Sequence, residues 1–335
     1  MTRKVGRIRD VATETGLSTA TISRVMNGAE NVSPKTRARV LEACQRLDYF
    51  PNPAAKALST AKSKTIAAII PTIEHSIYAK YIAAIEQTLA KRGYSIVLAI
   101  SNADEESELE AAHKLLGMGA QAFILSGAAH RPELSDMFIR RGVPFVFTSV
   151  WNAVNSAPTI GYDNFEFASR AVTYLSEKGH SQIAVLHGPL SESDRTRARC
   201  DGARSAGSEG ICLRFFETTL DVTGGRSAIN RVLQERRDIT AVLCFSDVLA
   251  LGVYFGLSSE GLTVPGDISV MGFDNLDWSA AVVPGLTTID LPAGQMGEHV
   301  AAQLVAHLET GTPIMPTKLD ASIVERGSVK TIRPG

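Results

Sequence analysis

At 335 residues the chain is too long for one small core, so two or three domains are expected. A composition of 44% hydrophobic and 21% charged residues, with a net charge of −1, is that of a globular protein and excludes a low-complexity chain. The charge is unevenly placed: residues 1–62 hold eleven Lys/Arg against five Asp/Glu, a net of +6, and the remainder holds 23 against 30, a net of −7, so a basic head suited to a polyanion precedes a body that is not.

The N-terminus carries Arg3, Lys4, Arg7 and Arg9 and no apolar run, which predicts no signal peptide and a cytoplasmic chain. Ile8, Val11 and Ala12 have helical spacing, and Gly16 supplies the left-handed stop. Ser18 can cap a second helix, with Ile22 and Val25 as its apolar stripe and Thr19, Ala20, Thr21, Ser23 and Arg24 off it. Asn27-Gly28 ends that helix. Ser33-Pro34 opens a third, with Val40, Cys44 and Leu47 on its inner face. Three short helices with a tight turn after the first make a helix-turn-helix unit. Short hydroxyls at a helix N-terminus suit phosphates, and an arginine one turn on can reach guanine in a major groove. Together with the charge, these side chains favour DNA binding over a small bundle whose second helix is merely solvated.

The stretch "IRDVATETGLSTATISRVMNG…VSPKTRARVLEACQRLDYFPNPAAKALST" resembles the head of the lactose/galactose repressor (LacI/GalR) family of bacterial transcription regulators, through D-V-A, T-x-S-R-V-x-N, V-S-x-x-T-R and Y-x-P-N-x-x-A. The resemblance implies that Thr19, Ala20 and Arg24 face bases. Ser18, Thr21, Ser23, Asn27, Ser33, Thr36, Tyr49 and Asn52 would hold phosphates and register. Residues 50–64 contain two prolines and an alanine-rich stretch too short for a stable isolated helix. By themselves they read as a linker. The resemblance implies a hinge helix that orders on DNA, with Leu58 as a minor-groove wedge and Lys56 near the backbone. Pro53 departs from the commoner residues there but is tolerated in a first helical turn.

From Thr65 the pattern alternates between strands and helices. "TIAAIIP", "YSIVLAI", "AFILS" and "PFVFTSV" form one series, and "QIAVLHG", "LRFFE", "AVLCFS" and "ISVMGFD" a second, predicting two α/β halves of parallel sheet. The family resemblance continues through "GYDNFEFASRAVTYLSEKGH", "SDVLALG", "VPGDISVMGFDN" and "PGLTTID". It implies the bilobed fold of periplasmic sugar-binding proteins, with crossovers near Gly161, Leu291 and Leu319. The resulting expectation is a head at 1–49, a hinge at 50–64 and a bilobed body at 65–335. Lobe 1 would span about 65–160 and 292–319, and lobe 2 about 161–291 and 320–335.

Ligands of such sheets bind beyond the carboxyl ends of the strands, here between the lobes. Ser126, Ser149, Ser246 and Asp274 follow strand runs and are candidates. The resemblance implies that Arg199 meets effector hydroxyls or carboxylates, that Asp274 accepts from sugar hydroxyls, and that the Tyr78 ring stacks on the ligand. A surface ion pair is the plain alternative for Arg199 and Asp274. Asp247 reads as a cap for the helix after it. Ser149, Leu220 and Ala203 depart from common family residues and leave the effector's identity open. Arg195 and Arg197 in "LSESDRTRARC" either favour an acidic or phosphorylated effector or are solvated surface.

"GMGAQA" at 117–122 follows a helix and precedes a strand, the reverse of a dinucleotide fingerprint, so Gly117 and Gly119 read as a helix stop. His180 falls in the turn into a strand. Four cysteines without CxxC spacing predict buried free thiols, and neither metal nor cofactor is expected. The chain shows no nucleophile–base constellation for an enzyme. The expectation is a cytoplasmic, nucleoid-associated regulator, most often a repressor in this resemblance. Its operator affinity would be controlled by a small polar effector, a sugar or sugar acid. Its partners would be a pseudo-palindromic DNA operator and, since the last strand leaves no room for a heptad tail, one further copy as a homodimer. A solute-binding protein for transport shares the body but requires export.

Overall fold

The computed structural model describes residues 6–26, 28–29, 31–50, 63–74, 76–151, 157–207, 210–235 and 238–332. Two units separate at Ser63 and Lys64.

Among its described residues the first unit holds three helices, α1 (Ile8–Thr15), α2 (Thr19–Met26) and α3 (Pro34–Arg46). Gly16 ends α1 in the left-handed region at φ 58°, a conformation that costs a glycine little. The Ser18 Oγ accepts from the Thr21 amide at 3.1 Å, and the Ser33 Oγ accepts from the Thr36 amide at 3.2 Å, with Pro34 at the first position of α3. Val11, Ile22, Val25, Val40, Ala43 and Cys44 close a small core between the three helices. Helical spacing alone put all of these but Ala43 on inward faces.

The second unit is built from two six-stranded sheets. In chain order its elements begin with β1 (Thr65–Ile70), α4 (Ser76–Ala90), β2 (Ser95–Ile100), α5 (Glu105–Gly117), β3 (Ala122–Ser126), α6 (Pro132–Arg141), β4 (Phe145–Thr148) and β5 (Thr159–Gly161). There follow α7 (Asn164–Glu177), β6 (Gln182–His187), α8 (Asp194–Ala206), β7 (Cys212–Glu217), α9 (Val222–Glu235), β8 (Ala241–Cys244), α10 (Asp247–Ser259) and β9 (Ser269–Phe273). The last are β10 (Thr287–Asp290), α11 (Ala293–Thr310), β11 (Thr317–Lys318) and β12 (Ser322–Val324). The sheet orders are β11-β5-β4-β3-β1-β2 and β12-β10-β9-β8-β6-β7. Every pairing is parallel except β10 with β12, an antiparallel edge in a sheet expected to be parallel throughout. β12 arrives from β11 of the other sheet rather than through a βαβ crossover within its own sheet, so the rule that makes such neighbours parallel does not bind it.

The central strands are continuous apolar runs because helices cover both faces; β1 is buried from Ile66 to Ile70. One core lies on the inner faces of both sheets, and separate cores lie under α9 and α10 in one lobe and under α5 and α6 in the other. The chain crosses between the sheets after β5, after β10 and after β11. At Gly202 an added Cβ would lie 2.0 Å from the Phe165 carbonyl oxygen, so α7 and α8 approach as closely as they do only because that position is glycine. All four cysteines are free. Cys44, Cys200 and Cys244 are buried, but Cys212, expected to be buried, is only half so because it opens the edge strand β7.

Candidate functional site

In the head, Ser18, Thr19, Ala20 and Arg24 are exposed together on α2 and its approach, while Thr21 and Ser23 are half-buried. The Ser18 and Thr21 hydroxyls are 2.9 Å apart, and the Ser33 and Thr36 hydroxyls are also 2.9 Å apart. Two helix N-termini therefore carry the same serine–threonine pair, each combining a capped amide end with hydroxyls that can turn to an anion. Tyr49 is half-buried and packs against the head's core. Asn27, Asn52, Lys56 and Leu58, and with them the hinge from 51 to 62, lie outside the described residues.

One positioning residue in the head escaped the sequence reading. Arg37 donates from Nη1 to the Val25 carbonyl at 3.4 Å and from Nη2 to the Ala29 carbonyl at 2.6 Å. It ties α3 to the C-terminal end of α2, and a cation there also suits the helix dipole. The V-S-x-x-T-R motif contained it, but its partners are up to twelve residues away.

In the body, a cleft of about 320 Å³ opens between the lobes. Its wall includes Tyr78 and Ser149 from one sheet's side, and Arg199, Ser246 and Asp274 from the other's. Leu220 is also in the wall. Ser126, expected there, lines a smaller adjoining recess of about 70 Å³ instead. The Tyr78 hydroxyl, 3.4 Å from the Ser126 Oγ, takes the position bordering the cleft.

Arg199 is held on three sides. Its Nε donates to the Asn164 Oδ1 at 2.9 Å, its Nη1 donates to the Phe245 carbonyl at 2.8 Å, and its guanidinium lies 4.2 Å from the centre of the Phe273 ring. The Asn164 Nδ2 in turn donates to the Ser149 carbonyl at 2.9 Å, linking the arginine to the facing lobe. Asn164 is buried and lies within "GYDNFEF", where nothing local marks it as a support for Arg199. The surface ion pair weighed for Arg199 and Asp274 is not what forms.

Asp274 is buried and accepts from the Ser246 hydroxyl at 3.0 Å. Burial, and secondarily the charge of Asp247, push its carboxyl up to about 7, with Arg199 and Ser246 pulling the other way. Asp274 has φ 127° and Ser149 φ 64°, so two non-glycine residues just after strand ends sit in the left-handed region facing the cleft. Strain of this kind persists where the surroundings over-determine it, commonly at ligand sites.

Asp247, read as a cap, has a different role. Ser246 caps α10 by accepting from the Val248 amide at 3.2 Å. The fully buried Asp247 carboxylate instead accepts from the Leu276 amide at 2.9 Å, the Ser279 hydroxyl at 2.5 Å and the Thr288 hydroxyl at 2.6 Å. It pins the loop that carries Asp274. His180 is buried, bonded to the Thr240 hydroxyl and the Lys330 carbonyl.

Of the two extra arginines, Arg197 is exposed and bonds the Leu190 carbonyl of its own lobe. Arg195 lines the cleft and pairs with Asp194 at 3.1 Å. Among the described residues no group of three or more His, Cys, Asp or Glu is placed to hold a metal ion, and no helix is long and apolar enough to cross a membrane.

A helix-turn-helix head followed by a bilobed body with a polar cleft defines a ligand-responsive DNA-binding regulator. "Bacterial regulatory proteins, lacI family" matches residues 7–52, and "Periplasmic binding proteins and sugar binding domain of LacI family" matches residues 63–318. The chain belongs to the LacI family of bacterial transcription regulators and is not an enzyme. It is 33% identical over 322 residues to catabolite control protein A of Priestia megaterium, covering 95% of both chains. It is 30% identical to the HTH-type transcriptional repressor PurR of Glaesserella parasuis serovar 5, covering 97% of this chain and 98% of that one. Its fold matches the lac repressor dimer bound to operator and the anti-inducer ONPF with a TM-score of 0.86 at 28% identity, over 98% of this chain and 100% of that one. The regulatory head separates the chain from the transport proteins that share its body.

The exposed α2 face yields a prediction. Arg24→Ala should weaken binding to the specific site by about 1–3 kcal/mol and relax preference at one base pair per half-site. Thr21→Ala, if its hydroxyl meets the phosphate backbone as the family resemblance implies, should weaken all sequences alike. Selection of binding sites from a random pool with each variant separates the two. Unchanged base preference in Arg24→Ala would remove Arg24 from the base-reading set.

Proposed function

We propose that this regulator is a cytoplasmic homodimeric repressor that binds a pseudo-palindromic operator, one half-site per head, with affinity set by a small polar effector in the interlobe cleft. Two-fold protein symmetry requires a two-fold site. Thr19, Ala20 and Arg24 read bases, and Ser18, Thr21, Ser23, Ser33, Thr36 and Tyr49 hold the backbone, with Asn27, Asn52, Lys56 and the Leu58 wedge completing the contact. In the cleft, Arg199, Asp274, Ser246, Ser149 and Tyr78 surround the effector, and Ser126 supports Tyr78 from behind. The related regulator solved with cellobiose supports a sugar-sized ligand.

The observation that carries this reading is the cleft itself, where a donor fork and a carboxylate supported by a hydroxyl border one chamber. Such a pair brackets a polyol or a sugar acid. Effector binding shifts the lobes between two populations, and the heads lose or gain their register on DNA. A thermal-shift screen of sugars, sugar acids and phosphosugars tests the reading. A ligand at a hundred times its dissociation constant should stabilise the body by roughly 2.7 kcal/mol. A screen in which none of these classes raises the unfolding temperature would set the effector class aside.

A further inference from the structure

The lobes also meet at a point away from the crossovers. Asp194 is the first residue of α8, held by Ser193, whose Oγ accepts from the Thr196 amide at 3.2 Å. From there its Oδ2 reaches across to the other sheet and accepts from the Ala128 amide at 2.7 Å and the Ala129 amide at 3.2 Å, just beyond β3. Its Oδ1 accepts from the Arg195 amide at 2.8 Å and from the Arg195 Nη1 at 3.1 Å. Both side chains are largely withdrawn from water, with 21% of Asp194 and 12% of Arg195 exposed.

The facing lobe is shaped to receive this pair. At Gly127, whose φ is 93°, an added Cβ would lie 2.2 Å from the Arg195 Nη1 and 3.0 Å from the Asp194 Oδ1. Glycine there both adopts the left-handed turn and leaves the notch open. The same loop is braced from behind. The Gly127 carbonyl lies 3.1 Å from the His130 Nε2, and the His130 Nδ1 is 2.7 Å from the buried Glu108 Oε2. The His130 ring stacks on Phe147 at 4.8 Å. A rigid carboxylate therefore meets rigid amides, and little ordering remains to oppose the contact.

We propose that Asp194 and Arg195 form an interlobe latch, seated in the Gly127 notch, which holds the two lobes together across the cleft and positions Arg195 in its wall. Burial works to raise the Asp194 carboxyl, but Arg195 and the amides of Ala128, Arg195 and Ala129 outweigh it and hold the carboxyl below its ordinary value, so the latch is charged at neutral pH. β3 and β6, the strands that lead to the two halves of the latch, stand away from β5, β11, β10 and β12, which lie at the end of each sheet where the chain crosses. A contact placed there resists opening about the crossovers with leverage that a contact beside them lacks.

The test measures lobe separation directly and uses no effector, so it stands apart from the effector reading. Spin labels are placed at the exposed positions Lys80 on α4 and Thr223 on α9, in the full-length protein carrying Cys212→Ser. Labelled chains are diluted with unlabelled ones so that only distances within one chain are read. With Asp194 intact, one short distance is expected. Asp194→Asn should shift the distribution to longer distances and broaden it. Arg195→Gln should shift it less, because Asp194 keeps its two amides across the gap. Arg197→Gln, whose partner is in its own lobe, should leave it unchanged. If Asp194→Asn retains the parent distribution, the latch is overturned; should that variant fail to fold, an unshifted Arg195→Gln overturns it equally.

Discussion

Arg199→Ala and Asp274→Ala are each expected to abolish the effector response while leaving operator binding intact. The guanidinium is already spent in part on Asn164 and Phe245, so what it offers a ligand is a rigid, pre-oriented donor edge. Asp274 is the complementary acceptor, oriented by Ser246. Deleting either leaves the ligand group that faced it unpaired inside the cleft, at a cost of about 1–3 kcal/mol or more for a charged group. That corresponds to roughly 5- to 150-fold in affinity. The reading also has a pH signature. A carboxyl at about 7 is half protonated near neutrality, and only the carboxylate accepts from a polyol on both oxygens. Affinity for a neutral polyol should therefore rise as pH climbs through about 7 and level off above it, and Asp274→Asn should flatten the profile. The unliganded fold behaves oppositely. Its Asp274 binds a proton that the unfolded chain, with the ordinary value of 3.8, has released, so stability falls as pH rises between those values. Titration calorimetry across this range decides the matter. Parent-like affinity in both alanine variants would place the ligand elsewhere.

Asp247→Ala is expected to be the most destabilising single change in lobe 2. Its carboxylate is fully buried and accepts from one backbone amide and two hydroxyls, all buried or nearly so. Removing it strands those donors where water cannot reach, and the expected loss is about 3–5 kcal/mol. Asp247→Asn, which keeps one acceptor oxygen, should lose less. The urea midpoint of the body's unfolding measures both. There is a linked effect in the cleft: Asp247's charge contributes to the raised value of Asp274, so the surviving Asp247→Asn protein should titrate Asp274 at lower pH. A midpoint for Asp247→Ala within experimental scatter of the parent would mean the loop carrying Asp274 is held by something else.

What could be read from the chain was local. The caps at Ser18 and Ser33, the stop at Gly16 and the stripe of Ile22 and Val25 depend on partners within four residues, and such contacts follow from spacing and side-chain chemistry alone. Buried strands such as Ile66–Ile70 are legible for the same reason, since a parallel sheet covered on both faces needs an unbroken apolar run. The strand-end positions of Ser149, Ser246 and Asp274 follow once the strands are known, because the open end of a parallel sheet is where loops meet a ligand. Tertiary structure alone decided the rest. Arg37 under α2, Asn164 behind Arg199 and Asp247 beneath Asp274 look like ordinary polar helix residues in the chain, and each acts through a partner twelve to forty-one residues away. Ser126 sits at a strand end like its neighbours, yet the ring of Tyr78, brought in from a separate helix, assigns it to the recess. Arg195 and Arg197 are two residues apart on one helix and chemically identical. One lines the cleft against Asp194 and the other bonds its own loop, because only the first meets a notch in the opposite lobe, and where that lobe lies is set by three crossovers rather than by any local pattern.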